Sequence, residues 1–269
     1  MGLQINSNTT SIFARRQTTQ TANRLNDNLR RLASGLRINR AADDAAGLAI
    51  AETFRASIRQ LNTESRGLQT GSNLAATAEG GLSAQGEIVG RIRELAVQAA
   101  NGTLNDDQRA AINVEAQELR QELDDIGQNT EFNGLGLLDG STGPVTVDTT
   151  GDIQVDLQQS DSGTLGLGGL DLSTQAGAQA AIAAADTAAT QINQNRANLG
   201  ATQNRIRSAI ETRETQALNE IEAESRIRDL DVARAAIEQA RNEVLLQGGL
   251  SSIIQGNLQS QTALRLLGG

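Results

Sequence analysis

Residues 22 to 36, ANRLNDNLRRLASGL, place Ala22, Leu25, Leu29, Leu32 and Leu36 at alternating intervals of three and four. That rhythm marks a helix with one narrow apolar seam, thinner than the stripe a helix turns toward a globular core. The same rhythm returns near the other end at Leu230, Ala233, Ile237, Ala240 and Val244. Two seams of equal width at opposite ends predict that the ends pair with one another. Such a pair is marginal alone, so the other terminal apolar residues, Ile38, Leu246, Ile253, Ile254, Leu258, Leu264, Leu266 and Leu267, predict contacts with further copies of the chain.

Composition narrows the alternatives. Only 1% of the 269 residues are aromatic, with three Phe and neither Trp nor Tyr, so Leu, Ile, Val and Ala must fill whatever core exists. Long helices packed along their length do this easily. The single proline, Pro144, leaves long stretches in which nothing breaks a helix. Cysteine and histidine are absent, which removes disulfides, thiolates and the commonest general bases and metal ligands and argues against an enzyme. Every basic residue is Arg, and a net charge of −9 argues against a nucleic-acid surface or binding to an anionic membrane. No run of about 18 apolar residues could span a membrane, and the start lacks the apolar stretch of a cleaved signal peptide.

The pattern predicts a mainly α chain of long antiparallel helices. They form a rod or coiled coil with both termini paired at one end and a small β-hairpin in mid-chain. A first helix is read over 18–36, after a polar start with no periodicity, with Gly35 as its C-cap and Asp43 and Asp44 at the next N-terminus. A second runs from about Leu48 to Ala100, punctuated by glycines that let neighbours come close; a third follows an Asn105 cap and ends at Gly127. VTVDT (145–149) and IQVDL (153–157) alternate with period two around TGD and read as the hairpin, the only strand pair expected. Helix resumes near Thr174, and the terminal pattern loosens at QGGLSSIIQGN. Three regions are expected: an inner terminal coiled coil (1–44 with 228–269), an outer helical domain (45–140 with 175–227) and a short variable segment (141–174).

The acidic pairs Asp43/Asp44, Asp106/Asp107 and Asp124/Asp125 have no partner ligand cluster and read as helix starts and solvated faces. DTTGDIQVD lacks the terminal Glu of a calcium loop, and GTLGLGGLDL has no Lys to complete a phosphate cradle. No catalytic residue, metal site or cofactor is expected.

INSNTTS, LASGLRINRAADDAAGLAIAE, RIRELAVQAANGT and TEFNG at the front, with NQNRANLGATQNR, ESRIRDLD and QSQTALRLL at the back, resemble bacterial flagellin over residues 1–140 and 175–269. The resemblance implies a structural subunit that self-assembles into the extracellular flagellar filament used for swimming. It also implies export through the flagellar secretion apparatus without a cleaved signal peptide, and partners in the filament cap, the junction proteins and an export chaperone. A hook-filament junction adaptor is the alternative, since such proteins are similar at both termini. The segment Val89 to Gln98, with Arg91, Glu94 and Leu95 at matching places and Gly90 departing from the family's larger polar residue, is similar to the part of flagellins sensed by a host innate immune receptor.

Overall fold

A computed structural model of the chain describes residues 9–149 and 151–267. Five helices carry most of it: α1 (Thr9–Ser34), α2 (Ala45–Ala99), α3 (Asp106–Asn129), α4 (Gln175–Arg228) and α5 (Val232–Leu267). Between α3 and α4 lie two antiparallel hairpins, β1 (Glu131–Phe132) with β2 (Leu135–Gly136) and β3 (Val145–Thr146) with β4 (Gln154–Val155).

Local chemistry sets most of the boundaries. Gly35 ends α1 at φ +71, its N–H reaching the Arg31 carbonyl at 2.8 Å, a conformation that glycine adopts without the Cβ penalty. Asp44 caps α2 by accepting the Gly47 N–H at 2.8 Å. Its neighbour Asp43 does not cap a helix. It ties the preceding loop by accepting the N–H groups of Asn39 (3.1 Å) and Arg40 (2.9 Å), and these backbone bonds hold its carboxyl below the usual carboxylate range. Asn105 and Gln108 cap α3 reciprocally in a capping box. Asp231 starts α5 by accepting the Arg234 N–H at 3.0 Å.

Contacts divide the chain into two units, one made of the residues up to Ile58 with Leu218 onward, the other of Arg59–Ala217; α2 and α4 contribute to both. The expected boundaries at 44/45 and 227/228 mark where α2 begins and where α4 is about to end.

In the terminal unit α1 packs on α5. The chain after α1 is stitched to the turn before α5: Arg37 donates its N–H to the Arg228 carbonyl at 2.7 Å, Leu230 donates to the Gly35 carbonyl at 3.0 Å, and Leu36 bridges Asp229. α1 begins nine residues before the expected start, and α5 runs through Gly248, Gly249 and Gly256 without the loosening expected there. Ile38, expected to await other copies, is 2% exposed and so has no surface to offer them.

In the middle unit the core draws on α2, α3, α4 and the segment between the hairpins and α4. Leu165, Leu167, Leu170 and Leu172, spaced along the glycine-rich stretch, are all buried. One polar row on α3 holds that segment's backbone. Asn113 accepts the Leu172 N–H at 2.8 Å, Gln117 donates to the Leu170 carbonyl at 2.5 Å, and Asp124 accepts the Ser162 N–H at 2.6 Å. The stretch expected to be variable is therefore built into the core.

The expected hairpin is present in the register Val145↔Val155 and Thr146↔Gln154. It sits on α2 at Gly71, where a Cβ would come 2.5 Å from a methyl of Val147. A second hairpin, which the periodicity did not predict, turns through Asn133 and Gly134 at φ 53 and 78, the backbone of a tight two-residue hairpin turn.

Candidate assembly surface

The face of α1 turned toward α5 is Ser11, Ala14, Thr18, Thr21, Leu25, Asn28 and Leu32, spaced 3-4-3-4-3-4 and all buried or half-buried. Facing it is Ala235, Gln239, Asn242, Leu246, Gly249, Ile253 and Gly256, spaced 4-3-4-3-4-3. Both rows keep the seven-residue repeat of a coiled coil, yet most of their members are polar or small. Asn28 donates its side-chain N–H to the Ala235 carbonyl at 2.7 Å, and Ser11 donates its hydroxyl to Asn257 at 3.2 Å. At Gly249 a Cβ would lie 2.6 Å from the Thr18 hydroxyl, so only glycine allows this approach. The two helices leave between them a groove of about 420 Å³ lined by Arg24, Arg31, Arg241, Glu238 and their neighbours.

The structure does not bring the two sequence-predicted seams together. Ala22, Leu25 and Leu32 on α1 and Leu36 just after it are half-buried, while Leu29 is 43% exposed. On the other side Leu230 is half-buried before α5 begins, but Ala233, Ile237, Ala240 and Val244 are exposed, Ile237 by 71% and Val244 by 69%. The physical reason is that the row facing α1 is polar and small. The apolar rhythm therefore picked out a neighbouring row that faces away. Leu246 and Ile253 lie in the α1-facing row; Ile254 and Leu258 are exposed, and the side chains of Leu264, Leu266 and Leu267 lie outside the described residues.

Exposed apolar side chains are unevenly shared. Of sixteen large hydrophobic residues exposed among the described residues, thirteen belong to the terminal unit and three, Val97, Val114 and Leu135, to the middle unit. That concentration gives the terminal unit a surface that water does not favour. Charge divides the same way. The terminal unit holds 13 Arg against 11 carboxylates, net +2, and the middle unit 10 against 21, net −11, which together account for the −9 of the chain. The unit with the apolar surface is thus nearly neutral and can meet copies of itself without strong repulsion.

On α2, Arg91, Glu94 and Gln98 are exposed, whereas Val89 and Leu95 are 0% and 2% exposed. Val89 and Leu95 are therefore core and offer a partner no surface. Arg91 is held by Glu115 at 2.9 Å and Glu94 at 3.0 Å, bonds that keep its guanidinium firmly protonated. Among the described residues no group of acidic side chains could hold a metal ion, and no helix is long and apolar enough to cross a membrane.

Paired chain ends, an exposed apolar surface concentrated in the terminal unit and an acidic middle unit fit a structural protein that assembles with copies of itself. Residues 5–142 match the model of the bacterial flagellin N-terminal helical region, and residues 182–267 that of the bacterial flagellin C-terminal helical region. The chain is 39% identical to a flagellin of Halalkalibacterium halodurans and 36% identical to the flagellar filament 30.7 kDa core protein of Treponema maltophilum, in each case over 98% of this chain and 99% of the relative. The crystal structure of Bacillus cereus flagellin superimposes with a TM-score of 0.50 at 32% identity, covering 55% of this chain and 88% of that one. A flagellar hook-associated protein of Vibrio parahaemolyticus superimposes with a TM-score of 0.54 over 70% of this chain and 97% of that one, but at 16% identity it shares the fold alone. The chain belongs to the bacterial flagellin family, whose members are structural proteins, not enzymes, and self-assemble into the flagellar filament.

Proposed function

We propose that this chain polymerises through the outward apolar row of α5 and the exposed apolar residues of α1, and that the polymer is the extracellular filament that drives swimming. The observation that carries this reading is the placement of Ile237 and Val244, strongly exposed on a helix whose other face is already occupied by α1. The seam residues read from the sequence, Leu29, Ala233, Ile237, Ala240 and Val244, are then contacts between copies, and Ala22, Leu25, Leu32, Leu36 and Leu230 support the pair from within. Leaving Leu29, Ile237 and Val244 in water costs about 1.5 to 3 kcal/mol each, which neighbouring subunits recover. The association also offsets the entropy of ordering the terminal helices, so a weak polar seam suffices within one copy.

Export as a loose chain through the flagellar secretion apparatus, with a chaperone, fits a fold without cysteine whose ends are held by few apolar contacts. Membership of the family supports addition beneath a filament cap and onto junction proteins. Sensing by a host innate immune receptor would rest on Arg91, Glu94 and Gln98. A cell reporter assay with wild-type monomer, and with Arg91→Ala and Glu94→Ala as controls, tests it, and no signal from wild type excludes it.

Seeding tests the main reading. Purified protein added to short filament fragments elongates them into micrometre-long filaments by electron microscopy; failure to elongate at every salt concentration contradicts it.

A further inference from the structure

The corner between α2 and α3, Asn101-Gly102-Thr103-Leu104-Asn105, carries chemistry that polymerisation does not use. In an Asn-Gly pair the glycine nitrogen can attack the preceding side-chain amide with no Cβ in its way. Two oxygens collect negative charge in that reaction. Loss of the Gly102 N–H proton places charge on the Asn101 main-chain carbonyl oxygen, and addition to Asn101 Cγ places it on Oδ1.

Donors already meet both oxygens. Arg109 Nη2 and the Leu104 N–H donate to the Asn101 carbonyl at 3.1 and 3.3 Å; the Thr103 N–H and hydroxyl donate to Asn101 Oδ1 at 3.1 and 3.0 Å. Donors placed in advance where charge develops lower a barrier because they need not reorganise. Arg109 is well fixed for this. Its side chain is buried, its Nε donates to the Ala99 carbonyl at 3.0 Å and its Nη1 lies 3.3 Å from Asp106. Gly102 itself is exposed, and its N–H donates to no group among the described residues.

We propose that Asn101 is a site of self-modification. Gly102 N gives its proton to solvent base and bonds to Asn101 Cγ. The Cγ–Nδ2 bond breaks and, with a proton from water, the nitrogen leaves as ammonia, closing a five-membered succinimide. One water then opens the ring at either carbonyl to aspartate or isoaspartate. One water is consumed, one ammonia is released and one carboxylate is gained, with no change of oxidation state. The isoaspartate product adds a methylene to the main chain between α2 and α3 and displaces the carbonyl that Arg109 holds.

The chain contains its own comparison. Asn133-Gly134 is also exposed, but it is locked at φ 53 and 78 in the β1–β2 turn, and neither Oδ1 nor the carbonyl of Asn133 has a donor among the described residues. The test incubates the full chain at mildly alkaline pH and follows both sites by peptide mass mapping, in buffer and in urea. In the folded chain Asn101 converts at least about fivefold faster than Asn133, and the ratio falls toward one in urea; Thr103→Val, which removes one ordinary hydrogen bond, slows Asn101 about fivefold and leaves Asn133 unchanged. Equal rates in the folded wild type, or an undiminished Asn101 rate in a Thr103→Val chain of normal helicity, overturn the proposal. The comparison of folded with unfolded wild type needs no variant.

Discussion

Asn28 and Ala235, 207 residues apart in sequence, meet at 2.7 Å, the side-chain amide of one donating to the main-chain carbonyl of the other. Both are buried, and the bond fixes the register of α1 on α5 between the half-buried Leu25 and Leu32. Asn28→Ala removes the donor and leaves the carbonyl without it, a cost of about 1 to 3 kcal/mol. The monomer concentration needed for seeded elongation should rise roughly tenfold, as read by sedimentation of filaments.

Gly249 and Thr18 give a second register lock. A Cβ at 249 would overlap the Thr18 hydroxyl at 2.6 Å, and that hydroxyl is itself held by the Ala14 carbonyl at 2.8 Å. Gly249→Ala should therefore weaken assembly despite its better helix propensity, and Thr18→Ala in the same chain should restore it. A double-mutant cycle on elongation measures the coupling, expected at about 1 kcal/mol; additive effects would place the two residues apart.

The β3–β4 hairpin rests on Gly71, where an added Cβ would meet Val147 at 2.5 Å. Gly71→Ala should lift the hairpin at a cost of about 1 to 3 kcal/mol. Limited proteolysis checks this, with faster cleavage in residues 141–158 and unchanged resistance in α3.

Stability should be flat through neutral and alkaline pH. The chain has no His, Cys, Lys or Tyr, so no side chain titrates between the carboxylates and Arg. Acid is different. Hydrogen bonds from the Arg40 and Asn39 N–H groups to Asp43, from Gln60 and Thr149 to Glu64, from Ser141 to Asp139, from Thr164 to Asp161 and from Ser173 to Asp171 lower all five carboxyls from ordinary values of 3.8 or 4.5. A depressed folded pKa stabilises above the unfolded pKa and loses that stabilisation as pH falls through the folded one. Thermal melts should hold steady from about pH 6 to 9 and decline below about pH 4.5; a drop at alkaline pH would contradict this.

Much of this fold is legible in the sequence because the middle unit packs by apolar periodicity. Ile192, Leu199 and Ile206 of α4, spaced by sevens, are all buried, as the pattern requires. The Asn105 cap and the β3–β4 register follow from local chemistry in the same way. The apolar rhythm points to the wrong row of α5 for the terminal pairing because Ser11, Thr21, Asn28, Gln239 and Asn242 carry no hydrophobic signal, although their spacing is the heptad itself. That polar row also hid the first nine residues of α1. The β1–β2 hairpin left one usable signal, the Asn133-Gly134 dipeptide, because strands of two residues are too short to alternate. The buried leucines at 165, 167, 170 and 172 were masked by the glycines around them.

Salt should favour assembly, since the middle units carry net −11 each and repel when copies align. Elongation rates measured from low to moderate ionic strength should rise, and a falling rate would mean that attractive ion pairs dominate the contact.

In a filament built through the outward row of α5, Ile237 and Val244 meet other copies while α1 occupies the opposite side of that helix. Seeded elongation of Ile237→Asp and Val244→Asp chains, followed by electron microscopy beside circular dichroism, tests it most directly. Helicity should stay close to wild type with no elongation from either variant; filaments of normal length from both would rule out this contact.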